Sequence, residues 1–451
     1  MHSRPATLGV GTALVFLAIA MHVDVSATRS ATQASKPLSG VPVFQADPNW
    51  PVLPNDFTWG QVIGIFADSR GHVWTSSRSR ISEWDPQGKL LQSWDARGPD
   101  GNWSTIHGLF VDHNGFVWTN ARESHLTVKF TRTGQVALVI GKYNETGGSN
   151  ETTLMGRPSE IWVDPADNEV FVADGYGNRR IIVFDGGGGK YLRHWGAYGK
   201  APVDPPRSNS GAPGAPGAPG AGASGASGAS GASSASGASG ASGASGASGA
   251  SGASCASGAS GLPAIAPSGA TAGASGLQRA QDQTVPAEPP QQFAVPHGIA
   301  GSRDGLIYLA DRANNRIQVF RQNGQFVAEK ILRVRCGAQE KATWAPKRPC
   351  GTEAAFSIGF SHDGPQTYVY VADGGSHFIT VLRRKDLEIV AEFGGPGVGP
   401  GQLGRPHNLS VDPSGNIFVA EAAGPKVKHP TSGQEVDAGY RAQKFTFAGT
   451  R

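Results

Sequence analysis

The chain has 451 residues, with 39 lysines and arginines against 35 aspartates and glutamates and a formal net charge of +4. The excess is mild and forms no Lys/Arg run, which argues against a DNA or RNA partner. Only three cysteines are present, and beyond the N-terminus no segment is long and apolar enough to cross a membrane.

Residues 1–27 read as a secretory signal. Arg4 supplies the positive end, Val10 to Met21 the apolar stretch, and Val25-Ser-Ala27 a small-residue cleavage site. The apolar stretch is short for a spanning helix. A secreted or periplasmic/extracellular protein, free of the membrane after cleavage, is therefore expected. Residues 28–55 form a lead segment with Val41-Pro-Val-Phe44 and a Pro/Trp stretch from Pro48 to Pro54.

From residue 56 onward a unit repeats. An apolar strand is followed by a D-x-x-G-type turn, a second strand, a charged or glycine turn, and two further strands joined by a Gly/Lys hairpin. The runs are short and rich in Val, Ile, Phe, Tyr and Trp, with Gly, Asp and Asn at their ends, which is strand composition. No segment of helical length shows a 3.6-residue apolar period. Four strands per unit is the layout of a propeller blade, and six units predict an all-β, six-bladed β-propeller. Blades 1–3 are expected in 56–201 and blades 4–6 with the ring closure in 291–451. Either the final strand, Ala442 to Phe447, or the early Val41 to Phe44 is expected to complete a shared blade.

Residues 202–290 interrupt the repeats. Gly211 to Gly276 is almost pure Gly, Ala, Ser and Pro in a three-residue period. Such a tract buries too little apolar surface to offset its ordering entropy, so a disordered insert is expected. A collagen reading is disfavoured, because the frame slips at Gly220-Ala221 and because Ser234 and Cys255 replace glycine. Cys336 and Cys350, in an exported chain, are expected to close a loop as a disulfide. What remains outside signal and insert fills one propeller and leaves no room for a second catalytic domain.

One position of the first strand carries the chemistry. Eight residues before the turn, the six repeats read Ile63, His107, Ser159, His297, Phe356 and His407. Histidine falls on every second repeat, so in a closed ring three imidazoles face one axis. Three imidazoles with an open fourth position form a catalytic zinc geometry. The turns after the second strand should share that rim. They carry Arg78 in repeat one, Tyr176 in repeat three and Arg312 in repeat four. An arginine there can hold a carboxylate, and a tyrosine beside a metal can act as a base. Asp174, Asp311 and Asp373 read as turn residues, and Arg179 and Arg316 as links between blades.

The pattern A-D-x-x-x-N-R-I-x-V-F, seen at Ala310 to Phe320 and in variant form from Ala173, resembles NHL repeats. The run from Arg157 to Arg321 is similar to the peptidyl-α-hydroxyglycine α-amidating lyase propeller. That resemblance implies zinc held by His107, His297 and His407, Tyr176 as the catalytic tyrosine, and Arg312 and Arg78 as the substrate arginines. It implies a channel calcium held by the carbonyls of Ile65 and Leu109 and by a carboxylate after the third histidine. Here that residue is Asn408, which offers no charge and weakens the calcium expectation. A methionine of the pattern is replaced by Arg405. The implied reaction splits a peptidyl-α-hydroxyglycine, a small carboxylate-bearing or peptide substrate, into peptide amide and glyoxylate. A monomer is expected. The competing readings are a non-enzymatic propeller that binds a protein, peptide or glycan, and a calcium-dependent lactonase-like propeller, whose carboxylates and amides this slot does not supply.

Overall fold

The computed structural model describes residues 36–206, 289–332, 353–423 and 439–451, with the backbone of 426–428 and 435–437 and, at the N-terminus, Met1 alone. The signal segment, residues 207–288 of the insert, Cys336 and Cys350 lie outside the described residues. The rest forms six four-stranded antiparallel sheets.

Each sheet is a meander that runs from the axis outward. Blade 1 comprises Val62–Ala67, Val73–Ser77, Arg80–Trp84 and Leu90–Asp95; blade 2 comprises Ile106–Val111, Val117–Ala121, Leu126–Phe130 and Val136–Ile140. Blade 3 is Glu160–Val163, Glu169–Asp174, Arg180–Asp185 and Tyr191–Trp195; blade 4 is Pro296–Gly301, Leu306–Asp311, Arg316–Arg321 and Phe326–Ile331. Blade 5 is Ala355–Phe360, Tyr368–Asp373, Phe378–Arg383 and Glu388–Gly394. Blade 6 takes Pro406–Val411, Ile417–Glu421 and Arg441–Thr450 from the C-terminal part and Pro42–Asp47 from the N-terminal part. Both closure candidates are therefore used, the late strand third and the early strand outermost. Val41 and Arg451 lock the seam with a reciprocal pair of backbone hydrogen bonds at 3.0 Å. A small hairpin, Lys426–Lys428 with Glu435–Asp437, sits between the second and third strands of blade 6.

The core is divided into six wedges, one between each pair of neighbouring blades. Trp74 and Ile81 meet Ile106 and Val117 between blades 1 and 2. Phe418 and Ala420 meet Val62 and Ile65 across the seam between blades 6 and 1. Outer strands alternate between covered and exposed residues, as in Leu90–Asp95, because only one face has a neighbour. The first turn of four blades ends on a left-handed glycine: Gly71, Gly115, Gly305 and Gly415 have φ of +77 to +88°. A Cβ is disfavoured there, which is why the frame is legible.

Buried ion pairs sit behind the second turn. Arg180 and Asp174 are both fully buried and bond at 2.9 Å, as do Arg316 and Asp311. The linking arginine of blade 3 is Arg180 rather than Arg179. Its guanidinium reaches the carbonyls of Ser149 and Leu154 in the segment that joins blades 2 and 3. Blade 5 has no such arginine, and burial pushes the Asp373 carboxyl up to about 7. The two ends of the insert lie side by side. The Val203 amide donates to Gln292 at 2.9 Å, and Lys200 Nζ donates to Gln291 at 3.1 Å. Among the described residues no helix is long and apolar enough to cross a membrane.

Candidate metal centre

Four slot residues stand at an irregularity of the ladder. In blades 1, 4, 5 and 6 the register shifts at the slot, between Val62 and Gly64, Pro296 and Gly298, Ala355 and Ser357, and Pro406 and Asn408, so the slot residue itself is left out of the pairing. A β-bulge turns the side chain of such a residue, here that of His297 and His407 among others. In blade 2 His107 stays paired with Asn120, and the shift follows it, before Phe110.

His107, His297 and His407 come together there, at 1, 1 and 7% exposure. Each has a ligand nitrogen within 4.8 Å of the other two. Nδ1 of His107 lies 2.8 Å from the carbonyl oxygen of Ser159, Nδ1 of His297 2.7 Å from that of Phe356, and Nδ1 of His407 2.9 Å from that of Ile63. Each of these carbonyls belongs to the slot residue of the next blade. A carbonyl only accepts, so each Nδ1 carries the proton and each Nε2 keeps its lone pair. Even blades supply imidazoles, and odd blades supply the backbone acceptors that orient them. Such an outer shell is what a metal-ligating histidine requires. Burial holds all three imidazoles well below the ordinary histidine pKa, reinforced for His107 and His297 by the neighbouring imidazoles and for His407 by Arg312 and Arg405. They are neutral and fit a zinc ion by donor type and number.

Tyr176 covers the open side. Its hydroxyl is 3.1 Å from Nε2 of His107 and 3.0 Å from Nε2 of His297, and it accepts a 2.8 Å hydrogen bond from Nη1 of Arg312. Two glycines place it. A Cβ on Gly175 would lie 1.7 Å from the Pro296 carbonyl oxygen, and one on Gly177 2.7 Å from that of Gly156. Only a loop without side chains at these positions passes between the two backbones.

The turn after the second strand is anchored alike in five blades. Arg78, Arg122, Arg312 and Ala422, each the residue after that strand, and Tyr176, one residue further on in blade 3, donate their amides to the residue two before the slot. Arg312 and Arg122 therefore flank Tyr176 from blades 4 and 2, with Arg122 4.6 Å over the tyrosine ring. Arg122 escaped the sequence reading although it stands in the same frame as Arg312. Arg78 holds the equivalent place in blade 1; its side chain is exposed and passes over Gly60. Beyond Arg122, Arg157 and Arg405 stand near this rim, with Glu123 and Glu353 as their counter-ions. Positive charge is in excess.

Below the trio, the expected calcium ligands are differently engaged. Asn408 donates from Nδ2 to Glu160, and its Oδ1 accepts the Ser357 hydroxyl at 3.1 Å. Glu160 also accepts the Leu109 amide at 3.0 Å, and burial pushes its carboxyl up to about 8. Ile65 and Leu109 lie in the inner strands of blades 1 and 2. The amide oxygen of Asn408 is uncharged and already accepts one hydrogen bond, so it is a weaker calcium ligand than the carboxylate the resemblance implies.

A second histidine–carboxylate group, Asp68, His72 and Glu83, sits at the opposite rim. Arg132 fills it, pairing with both carboxylates and stacking 4.6 Å over Trp74, so it joins blades 1 and 2 as an ion-pair network. A recess of about 580 Å³ beside it, lined by Arg70, Asp112, His113 and Arg132, is remote from the trio.

The NHL repeat family matches residues 293–320, which comprise the His297 strand, the Arg312 turn and most of the third strand of blade 4. Among solved structures, a streptogramin B lyase is similar at 12% identity and a TM-score of 0.44, covering 90% of this chain and 98% of that one. The virginiamycin B lyase of Staphylococcus aureus is similar at 12% identity and a TM-score of 0.42, covering 90% and 99%. The WD40 repeats of RRP9 are similar at 8% identity and a TM-score of 0.43, covering 90% and 100%. The chain is thus a six-bladed β-propeller that carries an NHL repeat.

Proposed function

We propose that the protein is an exported zinc-dependent lyase that acts on peptidyl-α-hydroxyglycine-like carboxylates and releases a peptide amide and glyoxylate. One observation carries the reading: three neutral imidazoles converge, and two of them, His107 and His297, meet a tyrosine hydroxyl that an arginine also holds. His107, His297 and His407 would hold the zinc, which supplies a Lewis acid to the hydroxyl and carboxylate oxygens of the substrate.

The side chains divide the remaining work. Tyr176, acting as phenolate, takes the proton of the substrate hydroxyl; the carbinol oxygen becomes the aldehyde carbonyl of glyoxylate as the carbon–nitrogen bond breaks, and the leaving amide nitrogen takes that proton back from Tyr176. Arg312 keeps the tyrosine oxygen in place by its 2.8 Å hydrogen bond and offsets the negative charge that the oxygen carries as a base. Arg122, stacked on the ring, fixes its plane and adds positive potential. The carbonyls of Ile63, Ser159 and Phe356 keep the imidazoles from turning.

The test is metal content by mass spectrometry on the purified protein beside His297→Ala, followed by glyoxylate release from α-hydroxyhippurate. About one zinc per chain, lost in the variant, and turnover abolished by Tyr176→Phe are the expected results. Absence of zinc from the wild type after reconstitution would leave a binding propeller as the better account.

A further inference from the structure

Two arginines from different blades converge on one carboxylate beside the trio. Arg312, after the second strand of blade 4, bonds through Nη2 to Oε1 of Glu353 at 2.6 Å. Arg405, before the first strand of blade 6, bonds through Nη2 to Oε2 of the same residue at 2.6 Å. Both guanidiniums lie over the fully buried ring of Phe356, at 4.3 and 5.1 Å. Each carboxylate oxygen therefore has its own arginine, and the aromatic face below fixes both planes. The other edge of Arg312 binds the Tyr176 hydroxyl, and its buried Nε has no acceptor among the described residues. The Arg312 side chain is only 11% exposed, so an N–H left without an acceptor is costly there.

This is the geometry in which a small carboxylate ligand is recognised, and a side chain of the protein already fills it. We propose that Glu353 is the resting occupant of a two-arginine carboxylate receptor and that the carboxylate of the incoming substrate displaces it. The proposal rests on the reading of the trio and Tyr176 as a catalytic site, and it names the ligand class for that site. Exchange of one carboxylate for another preserves the charge balance of two partly buried guanidiniums. A neutral ligand that displaced Glu353 would leave both unpaired, at a cost that excludes it. Arg405 is on this account the specificity-determining residue. Its partner oxygen distinguishes a carboxylate from an amide, and it stands at the position where the resemblance led to the expectation of a methionine.

The test is calorimetric titration of the purified full chain with hippurate and with its uncharged amide, hippuramide. Wild type, Glu353→Gln and Arg405→Met are compared. Removal of the internal competitor should tighten hippurate binding about tenfold or more, and loss of one arginine should weaken it about tenfold or more. Hippuramide should show no measurable binding to any of the three. Unchanged hippurate affinity in either variant, or hippuramide shifting in parallel with hippurate, overturns the proposal. If Glu353→Gln does not fold, Arg405→Met decides alone. Zinc and turnover measured on the same samples separate the two readings. Intact turnover without the hippurate pattern overturns the receptor alone, and the hippurate pattern without zinc overturns the lyase alone.

Discussion

Each imidazole of the trio needs an acceptor on its far side, and the chain supplies it from backbone rather than from an acidic residue. The consequence is a site that stays neutral. Between the depressed values of the folded trio and the ordinary histidine value of 6.5, the unfolded chain binds more protons than the folded one. The trio's contribution to the stability of the metal-free protein is then complete above 6.5 and is lost as pH falls below it, while the raised carboxyls of Glu160 and Asp373 act in the opposite sense. The difference in thermal unfolding between wild type and His107→Leu, followed from about pH 7 to about pH 5, isolates the trio: the wild type should lose more stability over that range than the variant. Gly175→Ala tests the placement of Tyr176, since its Cβ collides with the Pro296 carbonyl. Zinc should be retained while kcat falls about a hundredfold, the scale expected of a displaced catalytic group. Calcium is tested by chelation: with Asn408 uncharged and bonded to Glu160 and Ser357, EGTA should leave the unfolding midpoint unchanged. The histidines were legible because a constant spacing carried them, and Tyr176 because it tips the glycine-flanked turn of blade 3 and matches the resemblance. Arg122 and Glu353 were not, since an arginine after a strand and a glutamate before one are ordinary surface residues until the ring brings them to one rim. Nor could a residue name reveal that Ile63, Ser159 and Phe356 act through their carbonyls.

At the level of the strand and its turn, sequence gave the pairing and lost the facing. Two consecutive arginines, Arg179 and Arg180, point to opposite faces of a strand. Which one enters the wedge depends on where pairing begins, and pairing begins at Arg180. The bulges were invisible for a similar reason, because one extra residue does not alter the apolar pattern on either side of it. Asp174→Ala should cost about 3–5 kcal/mol in denaturant unfolding, because it strands the fully buried Arg180 guanidinium. A loss below 1 kcal/mol would mean that the Ser149 and Leu154 carbonyls suffice to hold that charge.

For the molecule as a whole, closure and insertion make opposite demands. The outermost strand of blade 6 comes from the N-terminal part, so truncation through Asp47 uncovers the edge of Arg441–Thr450. An uncovered edge pairs with other chains, and size-exclusion profiles of the truncated protein should shift toward larger species than those of the full chain. Excision of residues 207–288, with a short Gly/Ser bridge in their place, should change stability by less than about 1 kcal/mol, because loop-closure entropy depends weakly on length. Its flanks already meet at Val203 and Gln292. The seam also bears on how the site comes into being. His407 takes its orienting carbonyl from Ile63, 344 positions away in sequence. Contacts of such separation form late, since a long loop must close before they reward it. A chain whose sixth blade is still emerging owns two of the three imidazoles but no third ligand and no completed ring. On the zinc reading, metal capture would belong to the final closing step, and uptake of the ion during refolding would time the moment at which the circle shuts.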